Sequence, residues 1–175
     1  MLALVEAFEA IRDFMERGGD VLYAILLVTL VMWLLIVERF WYMFSGHPKQ
    51  VKQIQEIWEA RADLTSWYAH RVREALISQV AMNLRHSLLM IKTLVALCPL
   101  LGLLGTVTGM VEVFDVMAIT GTGNARAMAA GVSKATLPTM AGMVAALSGL
   151  MLSVKLERYA DAETEKLADH LTTVH

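Results

Sequence analysis

Thr93–Val111 reads TLVALCPLLGLLGTVTGMV, 19 residues without a charge, bounded by Lys92 and Glu112. At about 1.5 Å of rise per residue, a helix of that length reaches roughly 28 Å, the thickness of a bilayer's hydrocarbon core. Two further runs share the property. Val21–Val37 is 17 residues between Asp20 and Glu38, and Ala135–Val154 is 20 residues between Lys134 and Lys155. The expected fold is an all-α membrane protein with three transmembrane helices.

Composition supports one membrane domain with short polar appendages: 57% of the 175 residues are hydrophobic and the mean hydropathy is +0.53. A net charge of −2 lacks the clustered Lys and Arg of a nucleic-acid surface, so no nucleic-acid partner is expected. The only cysteine, Cys98, lies inside the second span, which excludes a disulfide framework and a cysteine metal site. Met1–Asp20 is acidic and has no short apolar core followed by small residues, so it does not read as a cleaved signal.

Basic residues set the expected orientation. Residues 1–20 carry Arg12 and Arg17, and the 112–134 connection carries Arg126 and Lys134. The 38–92 connection carries Arg39, Lys49, Lys52, Arg61, Arg71, Arg73, Arg85 and Lys92, and the tail carries Lys155, Arg158 and Lys166. Positive charge stays on the cytoplasmic side. The N-terminus is therefore expected outside, with the 38–92 loop and the C-terminus in the cytoplasm.

The expected order is an amphipathic helix over 1–20, spans over 21–37, 93–111 and 135–154, a helical loop over 38–92, an outer connection over 112–134 and a tail over 155–175. Leu4, Phe8, Ile11 and Met15 recur at helical spacing before Gly18–Gly19. That helix either lies on the outer membrane interface or packs on a neighbouring subunit. Trp41 and Tyr42 sit where an interfacial aromatic belt belongs, and Ser45-Gly46-His47-Pro48 breaks the helix. Val51, Ile54 and Trp58 form one stripe. Val72, Leu76, Val80 and Leu84 recur every four residues, predicting a helix from near Asp63 into the second span without a breaker. The third span is predicted to continue through Leu156–Leu171, and Thr120-Gly121-Thr122-Gly123-Asn124 to form a turn.

No span contains Asp, Glu, Lys, Arg or His. Ionisable residues in hydrocarbon mark proton relays and counter-ions, so a proton path here needs a carboxylate from a partner. The spans instead carry small and hydroxyl residues. Ala135, Thr139, Gly142, Ala146, Gly149 and Ser153 follow 4-3-4-3-4 spacing, and Pro99, Gly102, Thr106 and Gly109 do likewise, with Gly105 and Gly109 forming GxxxG. Such faces let helix backbones approach closely, and they serve either plain helix contact or a lined pore. Counted from the middles of their spans, Thr106 and Thr139 fall at one membrane level. Each hydroxyl either bonds its own i−4 carbonyl or joins a ring of hydroxyls in an oligomer.

Pro99 and Pro138 free the carbonyls of Val95 and Lys134. A first-turn position is expected for Pro138 and a kink for Pro99. Glu112, Asp115 and Lys134 sit at the outer mouth, as solvated helix-end charges or as an entry vestibule. GxSxG, HExxH and P-loop motifs are missing, and His47, His70, His86, His170 and His175 lack metal-ligand spacing. No enzyme, metal or cofactor is expected.

Leu103-Leu104-Gly105-Thr106-Val107-Thr108-Gly109-Met110, followed by Thr136-Leu137-Pro138-Thr139-Met140-Ala141-Gly142, resembles the ExbB/TolQ/MotA superfamily. Three spans with the N-terminus outside match ExbB and TolQ, and the short chain looks like a compact ExbB. The resemblance implies a homopentamer whose second and third spans surround a pore holding the single-span helices of ExbD, each with a membrane Asp. Proton passage there would drive ExbD and, through TonB, outer-membrane transport such as iron uptake. A TolQ-like role in envelope integrity and a passive scaffold are the alternatives. The resemblance implies pore-lining positions for Thr106 and Thr139, with Thr108 and Thr136 on the same proton path. Helix packing falls to Gly102, Gly105, Gly109, Gly142, Ala146 and Gly149, and the periplasmic mouth to Glu112 and Lys134. ExbB chains often carry Glu where this chain has Lys134. Either that Glu is dispensable or Glu112 takes its place.

Overall fold

The computed structural model describes residues 2–46, 51–54, 56, 58, 66–121 and 125–171. Four helices account for most of them: α1 over Leu2–Ser45, α2 over Trp67–Arg85, α3 over Leu88–Thr120 and α4 over Ala125–His170. No strand occurs among the described residues. Three helical stretches, Phe8–Ser45, Trp67–Ile119 and Met128–His170, are long and apolar enough to cross a membrane. The chain is a multi-pass all-α membrane protein. His47 and Pro48, Lys49, Arg61, the helix start near Asp63, the Thr122–Asn124 part of the turn, and His175 lie outside the described residues.

The chain divides into two compact units: Met1–Trp33 with Thr93–Leu150, and Leu34–Lys92 with Met151–His175. In the first, α1 is interrupted at Gly19, whose φ of 69° and ψ of −168° no helical residue adopts. Glycine lacks the Cβ that penalises positive φ, which is why the break falls there. Before it, Arg12 bonds Glu16 at 2.8 Å and Arg17 bonds Asp13 at 2.7 Å, both i,i+4 pairs on an exposed face. After it, Leu22, Ile25 and Met32 of α1 are buried, as are Val95 and Cys98 of α3 and Ala135, Ala145 and Ala146 of α4.

The first-turn expectation for Pro138 is overturned. α4 begins at Ala125, so Pro138 sits well inside the helix, and its side chain is fully buried. Lys134 marks where apolar sequence starts. Helix formation follows backbone propensity instead, and residues such as Met128, Ala129 and Ala130 favour helix on their own account. Pro99 lies inside α3, which runs through it without interruption.

The second unit corrects another expectation. The helix entering the second span is broken at His86–Ser87, where His86 has φ −54° and ψ 139° and Ser87 has φ 65°. Neither residue is Gly or Pro, so the cause is tertiary. Arg39 of α1, 5% exposed, donates to the Asn83 carbonyl at 3.1 Å, to His86 Nδ1 at 2.7 Å and to Ser87 Oγ at 3.2 Å. The same unit buries Val80, Leu84, Leu88 and Ile91, with Leu156, Ala160, Leu167 and Leu171 of α4. Ion pairs join the helices: Arg85 to Asp161 at 2.8 Å and Lys92 to Glu157 at 2.6 Å. Arg73 donates to the carbonyls of Ala168 and Leu171 at 2.6 and 2.5 Å, satisfying the C-terminal turn of α4.

Candidate functional site

The candidate site is the seam between α3 and α4 in the first unit, and small residues create it. A Cβ added at Gly102 would stand 2.9 Å from Thr139 Cα, and one at Gly142 would stand 2.5 Å from the Cys98 carbonyl oxygen. A Cβ at Gly109 would meet Ala135 Cα at 2.6 Å, and one at Gly105 would clash with the Pro138 ring. These helices touch backbone to backbone, as helices do where lipid supplies no hydrophobic drive and packing must hold them. Further along, Gly149 faces Met32 and Val95, and Ala146 is buried. The opposite side of α4, including Met140, Met143, Val144, Leu147 and Met151, is exposed.

The hydroxyls follow from that approach. Thr139 Oγ1 donates across the seam to the Gly102 carbonyl at 3.0 Å, not to its own i−4 carbonyl. Thr106 Oγ1 donates to Leu103 O at 2.7 Å, Thr108 Oγ1 lies 3.1 Å from both Leu104 O and Gly105 O, and Thr136 Oγ1 donates to Ser133 O at 3.1 Å. A hydroxyl has one proton and two lone pairs. All four protons are committed to carbonyls, so each oxygen faces its surroundings as an acceptor. Thr106 and Thr139 are half-buried, whereas Thr108 and Thr136 are exposed. Thr139 bonds the Gly102 carbonyl and Thr106 that of Leu103, so the two hydroxyls are anchored on consecutive carbonyls of α3, about 1.5 Å apart along its axis.

At the loop end of the seam Lys134 Nζ bonds Glu112 Oε2 at 2.6 Å. The pair borders a polar cavity of about 280 Å³, also lined by Gly18, Gly19, Asp20, Gly105 and Thr108. Lys134 occupies the space a side chain at Gly19 would need, its Cε being 3.0 Å from an added Cβ. The cation at position 134 thus neutralises Glu112 and backs the break in α1. Both side chains are more than a third exposed, so water screens the pair and its contribution is modest.

Sequence reasoning missed Arg39, His86 and Ser87. Arg39 counted only as a topology charge, and nothing local signals a partner 47 residues away.

Residues 49–169 match the model of the MotA/TolQ/ExbB proton channel family. The chain is also similar to the protein of Synechocystis sp. named ExbB-like 1, for biopolymer transport. The two are 38% identical over 82 residues, which cover 45% of this chain and 32% of that protein. The aligned stretch therefore spans about a third of the relative's length. With the family model covering most of the chain, over a three-span helical fold, this protein belongs to the MotA/TolQ/ExbB proton channel family.

Proposed function

We propose that this chain is the pore-forming subunit of an ExbB-like motor driven by proton-motive force. In it, Thr106 and Thr139, with Thr108 and Thr136 alongside, receive the membrane carboxyl group of an ExbD-like single-span partner. One observation carries the reading. The spans hold no Asp, Glu, Lys, Arg or His, yet the seam presents hydroxyl oxygens whose protons are already bonded to carbonyls. An acceptor-only oxygen takes a hydrogen bond from a protonated carboxyl or from water, and offers nothing to a carboxylate. The seam therefore favours the acid in its protonated form, the form in which a carboxyl crosses hydrocarbon at least cost.

In this reading the chain assembles as a homopentamer in a bacterial inner membrane, N-terminus outside, and couples through a TonB-like protein to outer-membrane transport. The small-residue faces hold α3 to α4, and Glu112 with Lys134 shapes the outer mouth. The test is Thr139→Val in a strain that depends on this chain for receptor-mediated iron uptake. Uptake should fall by at least about tenfold while the complex still assembles, whereas unchanged uptake refutes the role given to Thr139. A TolQ-like role would appear instead as detergent sensitivity of a deletion strain with iron uptake intact.

A further inference from the structure

The junction between α2 and α3 is held in a conformation its own sequence does not prefer. Val72, Leu76, Val80 and Leu84 keep helical spacing up to it, α3 resumes one residue after Ser87, and neither Gly nor Pro intervenes. Yet Ser87, at φ 65°, is the one non-glycine residue with positive φ among the described residues. An L-residue adopts that conformation only where its surroundings impose it.

Arg39 imposes it. Its guanidinium reaches the Asn83 carbonyl in the last turn of α2, then His86 Nδ1 and Ser87 Oγ at the break. The Ser87 Oγ and His86 Nδ1 lie 3.0 Å apart, closing a triangle. Arginine only donates, so Nδ1 must carry a lone pair, which fixes His86 as the neutral imidazole with its proton on Nε2. His86 is exposed, so protons reach it from solvent. Facing it from α1 are Arg39 and, behind that, Glu38, 3.8 Å from the guanidinium and half exposed. The other charges of the junction are committed elsewhere: Arg85 of α2 to Asp161 of α4, and Lys92 of α3 to Glu157 of α4. The clamp is also incompletely satisfied, since the buried Arg39 Nε has no acceptor among the described residues.

We propose that the Arg39–His86–Ser87 cluster is a proton-sensitive hinge. With His86 neutral, Arg39 holds the break. A proton on Nδ1 removes the acceptor and sets a second cation against a buried guanidinium, and the junction relaxes into the continuous helix its sequence favours. Imidazole is the side chain whose unperturbed charge change falls between pH 5 and 8.

The test exploits the first amides of α3, which a helix N-terminus leaves without intrahelical acceptors and a continuous helix would satisfy. Hydrogen–deuterium exchange of the Ser87, Leu88 and Met90 amides, which lie between the His86 amide bonded to Met82 O and the Ile91 amide bonded to Ser87 O, is corrected for the intrinsic pH dependence and measured on the intact complex in nanodiscs at pH 8 and pH 5.5. In the wild type, protection should rise at least about tenfold on acidification. His86→Asn, whose side-chain oxygen accepts from Arg39 but cannot take a proton, should show no rise. His86→Lys should be protected already at pH 8. Constant protection in the wild type, a loss of protection on acidification, or a rise in His86→Asn matching the wild type would overturn the proposal.

Discussion

The two compact units are stabilised by opposite means. In the first, α3 and α4 meet backbone to backbone at Gly102, Gly109 and Gly142, and within the spans the polar groups of the seam are hydroxyls bonded to carbonyls, the α3–α4 ion pair of this unit, Lys134–Glu112, lying at the exposed loop end. In the second, side chains with charges join the helices, through Arg39, Arg73, the Arg85–Asp161 pair and the Lys92–Glu157 pair. The difference follows from solvent. A region of uncharged spans cannot use ion pairs, because an unpaired charge in hydrocarbon costs several kcal/mol. It relies on close packing, and small side chains are the means. The second unit has water nearby and can use charge. Added volume should therefore damage the first unit, and lost charge the second.

The largest effect is expected at the glycine seam. Gly142→Leu forces carbon atoms into the Cys98 carbonyl, at 2.5 Å for the Cβ alone, with backbone on both sides and nothing to yield. Destabilisation of at least about 3 kcal/mol should appear as loss of folded protein in a thermal-aggregation assay in mild detergent. A folded, stable Gly142→Leu chain would break the contrast between the units.

Next comes Arg39→Met, which keeps volume but removes the donors to Asn83 O, His86 and Ser87. Charge-assisted bonds of this kind contribute roughly 1.5–3 kcal/mol each, offset by the relief of desolvating a guanidinium, so a net loss of about 2 kcal/mol is expected in the same assay. A smaller loss than that from Lys134→Met would reverse the comparison. Lys134→Met itself removes an exposed ion pair with Glu112 and should cost below about 1 kcal/mol, shrinking further in high salt.

Tyr159 sharpens the contrast at the small end. Burial, with help from Glu163, raises its phenol above the ordinary value, Lys166 opposing. A raised acid favours the neutral form in the fold, so this contribution is present below the unfolded-state value and is lost as pH rises through the folded one. Tyr159→Phe, which keeps the ring that stacks on Phe44, should weaken the alkaline stability loss slightly, while phenolate absorbance in the native protein should appear later than in the unfolded chain.

Length of uncharged sequence made the three spans legible, because hydrocarbon thickness is a fixed ruler. The 4-3 spacing of Ala135, Thr139, Gly142, Ala146, Gly149 and Ser153 made one face of α4 legible, since helical period alone defines it. What that face meets was not legible, and within the chain it meets α3 and Met32 of α1. The position of Pro138 was misread because charge marks a membrane boundary, whereas the start of α4 is a matter of backbone propensity. The break at His86–Ser87 left no local trace, because its cause lies in α1 at Arg39.

Native mass spectrometry of the complex, extracted gently from its own membranes, tests the central claim most directly. Five copies of this chain retaining a small single-span protein with a membrane carboxylate is the expected result. It would supply the acid that the spans lack. A bare oligomer of another order, with no such partner, would contradict the account and leave Thr106 and Thr139 as packing residues of a scaffold.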